Sequence, residues 1–341
     1  MKYNKIRILL IYFLLFAVCF SACKNSYLPD ENTTHAVQSG ITPTPDSIQE
    51  NTPADASGNI VMGIYDFDTL NPLKTESEAL RKYLTLVYDS PVVLSKDASP
   101  TACLVQEWST SDGGKTWYFK MNKNIKFHDG SECTVYDIKN TIEWIQKNGG
   151  SYAECAVGVN SFNIISVYEI EIVLNEKDAF FPCKMIFPVV KSDDLEGVFS
   201  KPNGTGRYKY VSESSASDEA AKIFSFALNE TYYGEFPKIA TFEIRDYEDA
   251  QELYDSKSDI MMFFDDNVIK YAKKENYAVC SYSDNILSCM LSSSNADVGV
   301  RHFVNNHLDK RLLILGTVAG FGTEQLVPFA QGTYYLKELN V

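Results

Sequence analysis

The chain lacks the short motifs by which many enzymes and metal sites are found. No Cys-x-x-Cys pair, Walker phosphate loop, His-Glu-x-x-His zinc motif or Gly-x-Ser-x-Gly nucleophile elbow occurs in its 341 residues. Gly204 and Gly206 lack the third glycine that a dinucleotide site needs, and we interpret them as a backbone turn that requires positive φ. We therefore predict that the chain is not an enzyme, binds no cofactor and holds no metal ion.

Positive charge is scarce relative to negative charge. The sequence carries 31 Lys and Arg against 45 Asp and Glu, a formal net charge of −14. Such a surface repels nucleic-acid phosphates and anionic lipid headgroups, so we expect no nucleic-acid binding and no adhesion to lipid through a basic face. Apolar residues make up 45% of the chain, which is ample for burial. Two compact units are the expected organisation at this length.

Long apolar runs are also few, and the clearest one lies at the N-terminus. Lys2, Lys5 and Arg7 precede the apolar run Ile8 to Phe20, which is too short to span a bilayer comfortably. This pattern predicts a secretory signal peptide over residues 1–22. Its removal takes away three positive charges and no negative ones, so the mature chain carries 28 − 45 = −17.

The end of this segment resembles the lipobox of bacterial lipoproteins. It runs Phe20-Ser21-Ala22-Cys23, with phenylalanine where leucine is usual. The resemblance implies that the thiol of Cys23 receives a lipid and that Cys23 becomes the new N-terminus. Buried acyl chains contribute about 0.8 kcal/mol per methylene, enough for a lasting anchor. We expect a protein held at the outer face of a bacterial cell membrane. The alternative is a signal peptide or anchor with an incidental cysteine.

The segment that follows predicts a disordered tether over residues 23–59. Four prolines lie among Ser, Thr, Asn and Asp, and Tyr27 is the only aromatic residue. Such a composition cannot bury a core, and 36 residues of flexible chain span roughly 30 to 35 Å. The exported part also holds six dispersed cysteines, which favour buried free thiols over a disulfide scaffold: Cys103, Cys133, Cys155, Cys183, Cys280 and Cys289.

One stretch near residue 120 has the pattern of a hairpin followed by a helix. Trp117, Phe119 and Met121 alternate with polar or amphipathic residues, which predicts a half-buried strand, and 125–127 supplies a short partner strand. Thr134 stands three residues before Asp137 in the manner of a capping box. The apolar residues that follow have helical spacing until two glycines end the run: Val135, Ile138, Ile142 and Ile145.

This stretch, Leu104 to Trp144, resembles a block of the family 5 extracellular solute-binding proteins, which are receptors of ABC importers for oligopeptides, dipeptides and nickel. The matching residues are Trp108, Ser109, Ser111, Gly114, Thr116, Phe119, Phe127, His128, Asp129, Gly130, Asp137 and Ile138. Further blocks occur in the family's order: Leu70-Asn71-Pro72, Gly204 to Tyr210 with Arg207 in place of a proline, Leu228 to Ile239, Ser256 to Ile260 and Asp297 to Thr323.

The resemblance implies a mixed α/β fold of the type II periplasmic-binding-protein kind. Lobe one would comprise residues 60–89 and 190–280, with a hairpin-and-helix subdomain inserted at 90–189. Residues 281–341 would begin a second lobe that is incomplete, since family members are considerably longer. Strands are predicted at 60–64, 168–174 and 241–245, and a helix at 247–254.

The resemblance also implies a function and a binding site. We expect a monomeric substrate-binding lipoprotein of an ABC importer that captures peptides and delivers them to ABC permease subunits. Ligand contacts from lobe one would come from Tyr65, Asp66 and Phe67 after the first strand, and from Thr205 and Tyr208 on the return segment. The alternative is a truncated remnant that acts as a non-transport interaction or sensor lipoprotein.

Two histidine patterns have other possible interpretations. His128 beside Asp129 is the pair a hydrolase would use, but no nucleophile motif accompanies it, so we interpret His128 as a turn residue. His302 and His307 are five residues apart, which places them about 140° apart on a helix. That geometry does not favour a shared metal ion.

Overall fold

The computed structural model describes residues 56–195, 201–215, 222–263, 271, 274–277 and 297–318. The predicted signal peptide, the lipidation site Cys23 and nearly all of the predicted tether lie outside these residues. Cys280 and Cys289 do as well. No disulfide bond joins the cysteines within the described part of the chain.

A five-stranded mixed sheet forms the centre of the described chain, which confirms the predicted α/β class. Its strands lie in the order β11-β1-β10-β9-β8. β1 is parallel to β10 and β11, whereas β9 is antiparallel to β10 and to β8. The bounds are β1 Asn59–Ile64, β8 Tyr208–Ser215, β9 Lys222–Leu228, β10 Thr241–Asp246 and β11 Ile260–Met261.

Aromatic side chains form the interior of this sheet because the strands alternate apolar and polar residues. Phe242 and Ile244 on β10 are buried, and the residues between them are only half-buried. The ring of Phe226 on β9 stacks on Phe242 with centroids 4.6 Å apart. Full burial of such a side chain stabilises the fold by roughly 1.5–3 kcal/mol, so the cross-strand aromatic pair fixes the register of β9 on β10.

A second, antiparallel sheet lies between β1 and β8 in the sequence, in the order β4-β5-β7-β6. Its strands are β4 Val105–Thr110, β5 Thr116–Met121, β6 Val159–Ser166 and β7 Glu169–Leu174. A short ribbon of β2 Val92–Leu94 and β3 Pro100–Ala102 precedes it. On β5 and β7 every second residue is buried, as expected for a sheet with one solvated face.

The predicted hairpin partner of β5 is wrong. β5 pairs with β4 on one side and β7 on the other, and residues 125–127 form no strand with it. The actual turn is built by Asp112, whose Oδ1 accepts the backbone N–H of Thr116 at 2.9 Å, and by Gly113 and Gly114 at positive φ. Ile125 is apolar because it is fully buried in the loop after β5, which explains the misleading pattern.

The predicted helix after Thr134 is confirmed as α2, Val135–Asn148. Asp137 Oδ2 accepts the backbone N–H of Thr134 at 2.9 Å, and its Oδ1 accepts the hydroxyl of Ser192 at 2.7 Å. The helix ends at Gly149, which has a φ of 71°. The same carboxylate therefore caps α2 and binds it to the segment that returns to β8.

The remaining helices are short. They are α1 Glu78–Leu84, α3 Ala153–Ala156, α4 Ala250–Asp255, α5 Val298–His307 and α6 Lys310–Val318. Single 3-10 turns occur at Phe181–Lys184 and Ser192–Asp194. Of the helices in the described ranges, none has the length and apolar content needed to cross a membrane.

Gly204 and Gly206 are required for a different reason from the predicted one. Neither has positive φ. A Cβ atom on Gly204 would lie 2.0 Å from Val87 O, and one on Gly206 would lie 2.5 Å from Val87 C. The backbone N–H of Gly206 donates to Val87 O at 2.9 Å. Glycine is needed here because two backbones pack directly against each other.

Candidate functional site

The carboxyl ends of three parallel strands meet at one edge of the central sheet. Residues 65–67 follow β1, Tyr247 follows β10, and residues 262–263 follow β11. In open α/β sheets ligands bind beyond the carboxyl ends of the strands. We refer to the residues at these three strand ends, with Lys222 at the start of β9, as the carboxyl edge.

Phe67 is the best-supported side chain at the carboxyl edge. Its ring stacks on Phe224 with centroids 4.6 Å apart and planes 24° apart. Lys222 Nζ lies 4.9 Å from the centre of the Phe67 ring, within range of a cation–π interaction. Phe67 itself is half-buried. It therefore presents a rigid apolar surface that is still accessible to a ligand.

Asp246 places a carboxyl group beside this ring. Burial raises its pKa above the ordinary value, while a backbone hydrogen bond from Phe67 and the positive charge of Lys222 act in the opposite direction. A half-buried carboxylate whose charge is incompletely compensated favours a cationic partner. The edge can therefore bind an ammonium group next to an apolar one.

Asp66 adds a second, exposed carboxylate. Its Oδ1 accepts the hydroxyl of Ser77 at 2.8 Å, and Ser77 Oγ in turn accepts the backbone N–H of Leu80 as the N-cap of α1. The N-terminal end of a helix favours negative charge. This network holds Asp66 in a fixed position without burying it.

Tyr65 begins a row of aromatic rings along the edge. Its ring stacks on Phe263 with centroids 6.4 Å apart, and Phe263 stacks on Tyr271 at 3.9 Å. Stacked rings lose little conformational entropy on binding because they are already ordered. The row extends the apolar surface from β1 past β11.

Thr205 and Tyr208 lie at the other end of the central sheet. Tyr208 begins β8 opposite Leu228, on the same side as the amino end of β1. Its hydroxyl donates to Ile239 O at 2.8 Å, and the Thr205 hydroxyl donates to Asp89 Oδ2 at 3.2 Å. Both side chains are buried. The structure thus brings the first three predicted ligand residues together and separates them from these two by the length of β1, roughly 20 Å.

Sequence reasoning missed Lys222, Asp246 and Phe263 as members of this edge. A signal for Asp246 was available, because it falls between the predicted strand 241–245 and the predicted helix 247–254. In a parallel sheet a residue at that junction lies at the carboxyl edge. Lys222 had no comparable signal, since β9 runs antiparallel and reaches the edge with its first residue.

His128 is a half-buried turn residue in the loop after β5. Its Nδ1 accepts the backbone N–H of Gly204 at 3.3 Å, so Nε2 carries the proton and donates to Gly206 O at 3.0 Å. Burial lowers the pKa of His128. Both ring nitrogens are therefore occupied by backbone groups, and the ring stays neutral as a structural link.

Over the ranges that the structure describes, no group of three or more His, Cys, Asp or Glu residues is placed to hold a metal ion. His302 and His307 both lie on α5, where they are exposed.

The chain is similar in sequence to two solute-binding proteins of bacteria. The chain is 24% identical over 271 residues to the nickel-binding periplasmic protein of Escherichia coli, covering 71% of this chain and 49% of that protein. It is 23% identical over 107 residues to a probable peptide ABC transporter periplasmic-binding protein of Sinorhizobium fredii, covering 31% of this chain and 20% of that protein. The chain thus spans half or less of the length of these relatives.

Solved structures share the fold at low sequence identity. A nickel ABC transporter protein from Bacillus halodurans matches with a TM-score of 0.61 and 17% identity, covering 80% of this chain and 58% of that one. The oligopeptide-binding protein AppA from Bacillus subtilis, in complex with a nonapeptide, matches with a TM-score of 0.57 and 19% identity. The match covers 82% of this chain and 59% of AppA. These likenesses confirm the predicted type II periplasmic-binding-protein fold.

A family model decides the assignment. The model of the bacterial extracellular solute-binding proteins, family 5 Middle, matches residues 99–338, which is more than half of the chain. The match spans β3 to α6 and includes the second sheet, four of the five central strands and the capped helix α2. The chain belongs to the bacterial extracellular solute-binding proteins of family 5.

Proposed function

We propose that this protein is the non-enzymatic substrate-binding component of an ABC importer and that it captures peptides outside the membrane. The observation that carries the proposal is the carboxyl edge, where the exposed Asp66 and the half-buried Asp246 flank the ring of Phe67. Family membership supports the transport role, and a relative's name and a solved complex support peptides as ligands.

The ligand chemistry follows from this arrangement. The ammonium group of a peptide finds a carboxylate at Asp246 or Asp66, and an apolar side chain packs on Phe67 or on the rings of Tyr65 and Phe263. β1 itself lies between β10 and β11, so strand addition to β1 is blocked over the residues that pair. An extended peptide would instead bind to the segment after β1.

We further propose the predicted domain organisation. Lobe one comprises residues 60–89 and 190–280, the inserted subdomain comprises 90–189, and residues 281–341 belong to a second lobe. All five central strands come from 59–64 and 208–261, and all four strands of the other sheet come from 105–174, which supports these boundaries. A lobe that closes on the carboxyl edge would complete the site.

We also propose that Cys23 carries a lipid that anchors the protein to the outer face of the bacterial membrane beside its ABC permease. The sequence Phe20-Ser21-Ala22-Cys23 supports this role. Growth with a radiolabelled fatty acid tests it, since label is expected on the wild type and absent from Cys23→Ala. Label retained by the variant would contradict the anchor.

Peptide binding is tested by thermal unfolding of the mature chain with pools of dipeptides to hexapeptides. A ligand at 100 times its Kd stabilises the folded state by about 2.7 kcal/mol, which raises Tm by several degrees. Nickel chloride alone forms a second arm, because the curated relative named above binds nickel. A shift with nickel and none with peptides would overturn the peptide assignment.

Matched variants locate the site. Asp66→Asn and Phe67→Ala are expected to reduce the peptide-induced shift, and Asp193→Asn and Phe162→Ala are the controls. Asp193 is 87% exposed and far along the chain, and Phe162 lies on β6 in the other sheet. If the controls lose as much of the peptide-induced shift as the edge variants do, the carboxyl edge is not the peptide site.

A second candidate function is a non-transport interaction lipoprotein. Apolar side chains on α5 and α6 favour it, since Phe303 is 62% exposed, Leu312 63% and Leu315 59%. Large exposed apolar groups that lie close together mark contact surfaces. This function gains support if neither peptides nor nickel shift the unfolding temperature.

A further inference from the structure

A cavity lies at the end of the central sheet opposite the carboxyl edge. It has a volume of about 380 Å³ and is lined by the end of α1, the β2–β3 ribbon and the loops that flank β8 and β9. This volume is at the lower end of the range for ligand sites, which suits a small molecule. No residue of the carboxyl edge lines it.

A buried acid forms one wall of this cavity. Asp89 is 6% exposed, and its Oδ2 accepts the hydroxyls of Tyr233 at 3.0 Å and Thr205 at 3.2 Å. Burial raises the pKa of Asp89, although hydrogen bonds from these hydroxyls and from Tyr232 and the positive charge of Arg207 act in the opposite direction. A carboxylate in such a place is stabilised when a cation enters the cavity.

A guanidinium group forms another wall. The Arg207 guanidinium lies 5.3 Å from the centre of the Tyr232 ring, and the residue is exposed at the surface. Within the described ranges no carboxylate lies within 4.0 Å of it, Asp89 included. Arg207 also stands where the resembling motif has proline, so this charge is a departure from that motif.

The two charges therefore line one cavity and act on each other across it, but they form no ion pair within 4.0 Å. A simple anion would be attracted by Arg207 but repelled by Asp89. A simple amine would be attracted by Asp89 but repelled by Arg207. A molecule with both charges on neighbouring atoms satisfies both groups, and the rings of Tyr88, Tyr232 and Tyr233 provide apolar surface for a side chain.

We propose that this cavity binds a free α-amino acid as its zwitterion, with the ammonium group at Asp89, the carboxylate at Arg207 and the side chain against the tyrosine rings. The site is separate from the peptide site, so one protein would bind peptides at one end of the sheet and single amino acids at the other.

Isothermal titration of the mature protein with L-leucine, L-phenylalanine and glycine tests the proposal. N-acetyl-L-leucine lacks the ammonium charge, and L-leucine methyl ester lacks the carboxylate. Each is expected to bind about tenfold to a hundredfold more weakly than L-leucine, because a hydrogen bond to a charged group is lost. Equal affinity of L-leucine and either analogue would overturn the proposal, as would the absence of binding heat with all three amino acids.

Variants assign the charges to residues. Arg207→Gln is expected to weaken L-leucine binding by about tenfold to a hundredfold and to abolish the preference for L-leucine over its methyl ester. Lys209→Gln removes an equal charge nearby on β8. It is expected to leave the affinity for L-leucine and this preference unchanged. Asp89→Asn is checked for folding by circular dichroism because its side chain is buried. Arg207→Gln is exposed and carries the test alone if Asp89→Asn does not fold. An unchanged affinity in Arg207→Gln would overturn the assignment.

Phe67→Ala separates this proposal from the peptide function. L-leucine binding is expected to survive Phe67→Ala, because Phe67 lies at the other end of the sheet. If Phe67→Ala abolishes L-leucine binding, the amino acid binds at the carboxyl edge and the second site is wrong, while the peptide function stands. If peptides fail to bind but L-leucine binds with the expected charge dependence, the second site stands without the peptide function.

Discussion

His128 Nε2 donates a hydrogen bond to Gly206 O at 3.0 Å, although the two residues are 78 positions apart. The same ring accepts the backbone N–H of Gly204 through Nδ1 at 3.3 Å. One neutral imidazole therefore joins the loop after β5 to the segment that leads into β8. This link holds the second sheet against the central one.

The link predicts a pH-dependent stability. Because burial lowers the pKa of His128 below its ordinary value of 6.5, the unfolded chain takes up a proton at acid pH before the native ring does. The contribution of His128 is present in full above about pH 6.5 and decreases as the pH falls below that value. His128→Ala is expected to lower the free energy of unfolding by about 1–2 kcal/mol at pH near 7.5 and by less at pH near 5.5.

Urea unfolding at the two pH values measures this difference. His302→Ala is the control, since His302 is exposed on α5. Lys209 and Asp129 carry charge near His128, so their titration state must be the same in variant and wild type. If His128→Ala leaves the pH dependence of stability unchanged, the native ring is not held neutral.

Gly206→Ala is expected to be strongly destabilising. Its Cβ would lie 2.7 Å from Val87 O and 2.5 Å from Val87 C, and neither backbone atom can move without breaking the contact between the two segments. Overpacking of this kind costs about 1–3 kcal/mol, and more where backbone must shift. Thermal unfolding measures the loss. Gly299→Ala on the exposed helix α5 is the control and is expected to cause none, because alanine favours a helix.

Asp137→Ala is expected to lower stability by about 2–4 kcal/mol, because it leaves several half-buried donors without an acceptor. The carboxylate accepts from Thr134 N at 2.9 Å, from Ser192 N at 3.0 Å and from Ser192 Oγ at 2.7 Å. Ser192→Ala removes only the hydroxyl and is expected to cost about 1 kcal/mol. A double-mutant cycle gives the coupling between the two residues. If the two losses of stability are strictly additive, Asp137 and Ser192 do not interact.

Asp246→Asn is expected to raise stability while weakening peptide binding. The pKa of Asp246 is raised in the folded state, mainly by burial, so the native chain holds its proton more tightly than the unfolded chain. Stability is therefore lost as the pH rises from the ordinary pKa of the carboxyl group, about 3.8, through its higher pKa in the folded state. The gain in Tm from Asp246→Asn should be present at neutral pH and should shrink below pH about 4.

Asp193→Asn is the matched control for this change, since it removes the same charge from an exposed position. An Asp246→Asn variant that is less stable at neutral pH, or that binds peptides as well as the wild type, would show that the carboxylate serves packing and not ligand binding. Functional acids often cost stability in this way.

Local patterns predicted the elements that local interactions build. The helix α2 was predictable because Thr134, Asp137 and Gly149 act within a few residues of its ends. β7 and β10 were predictable because each alternates over one short segment, and β1 because it is a short, mostly apolar run. The three residues after β1 also come together with the other strand ends, as their position in a parallel sheet requires.

Pairing over long distances was not predictable in the same way. The apolar residues 125–127 have the composition of a strand, but β5 already has β4 and β7 on its two sides. Tyr208 was grouped with Tyr65 on the basis of a sequence block, and the register of β8 on β9 places it at the opposite end of the sheet. Nothing in the local sequence around either tyrosine encodes that register.

The amino-acid sequence by itself determined the family resemblance, the capped helix and the strand that leads into Tyr65, because each depends on neighbours along the chain. Only the tertiary structure decided that Asp246 and Lys222 join Phe67, and that Asp89 and Arg207 face one cavity although 118 positions separate them in the sequence. These groups meet because sheet register and backbone contacts between distant segments set their positions, and burial there raises the pKa of Asp89 and Asp246.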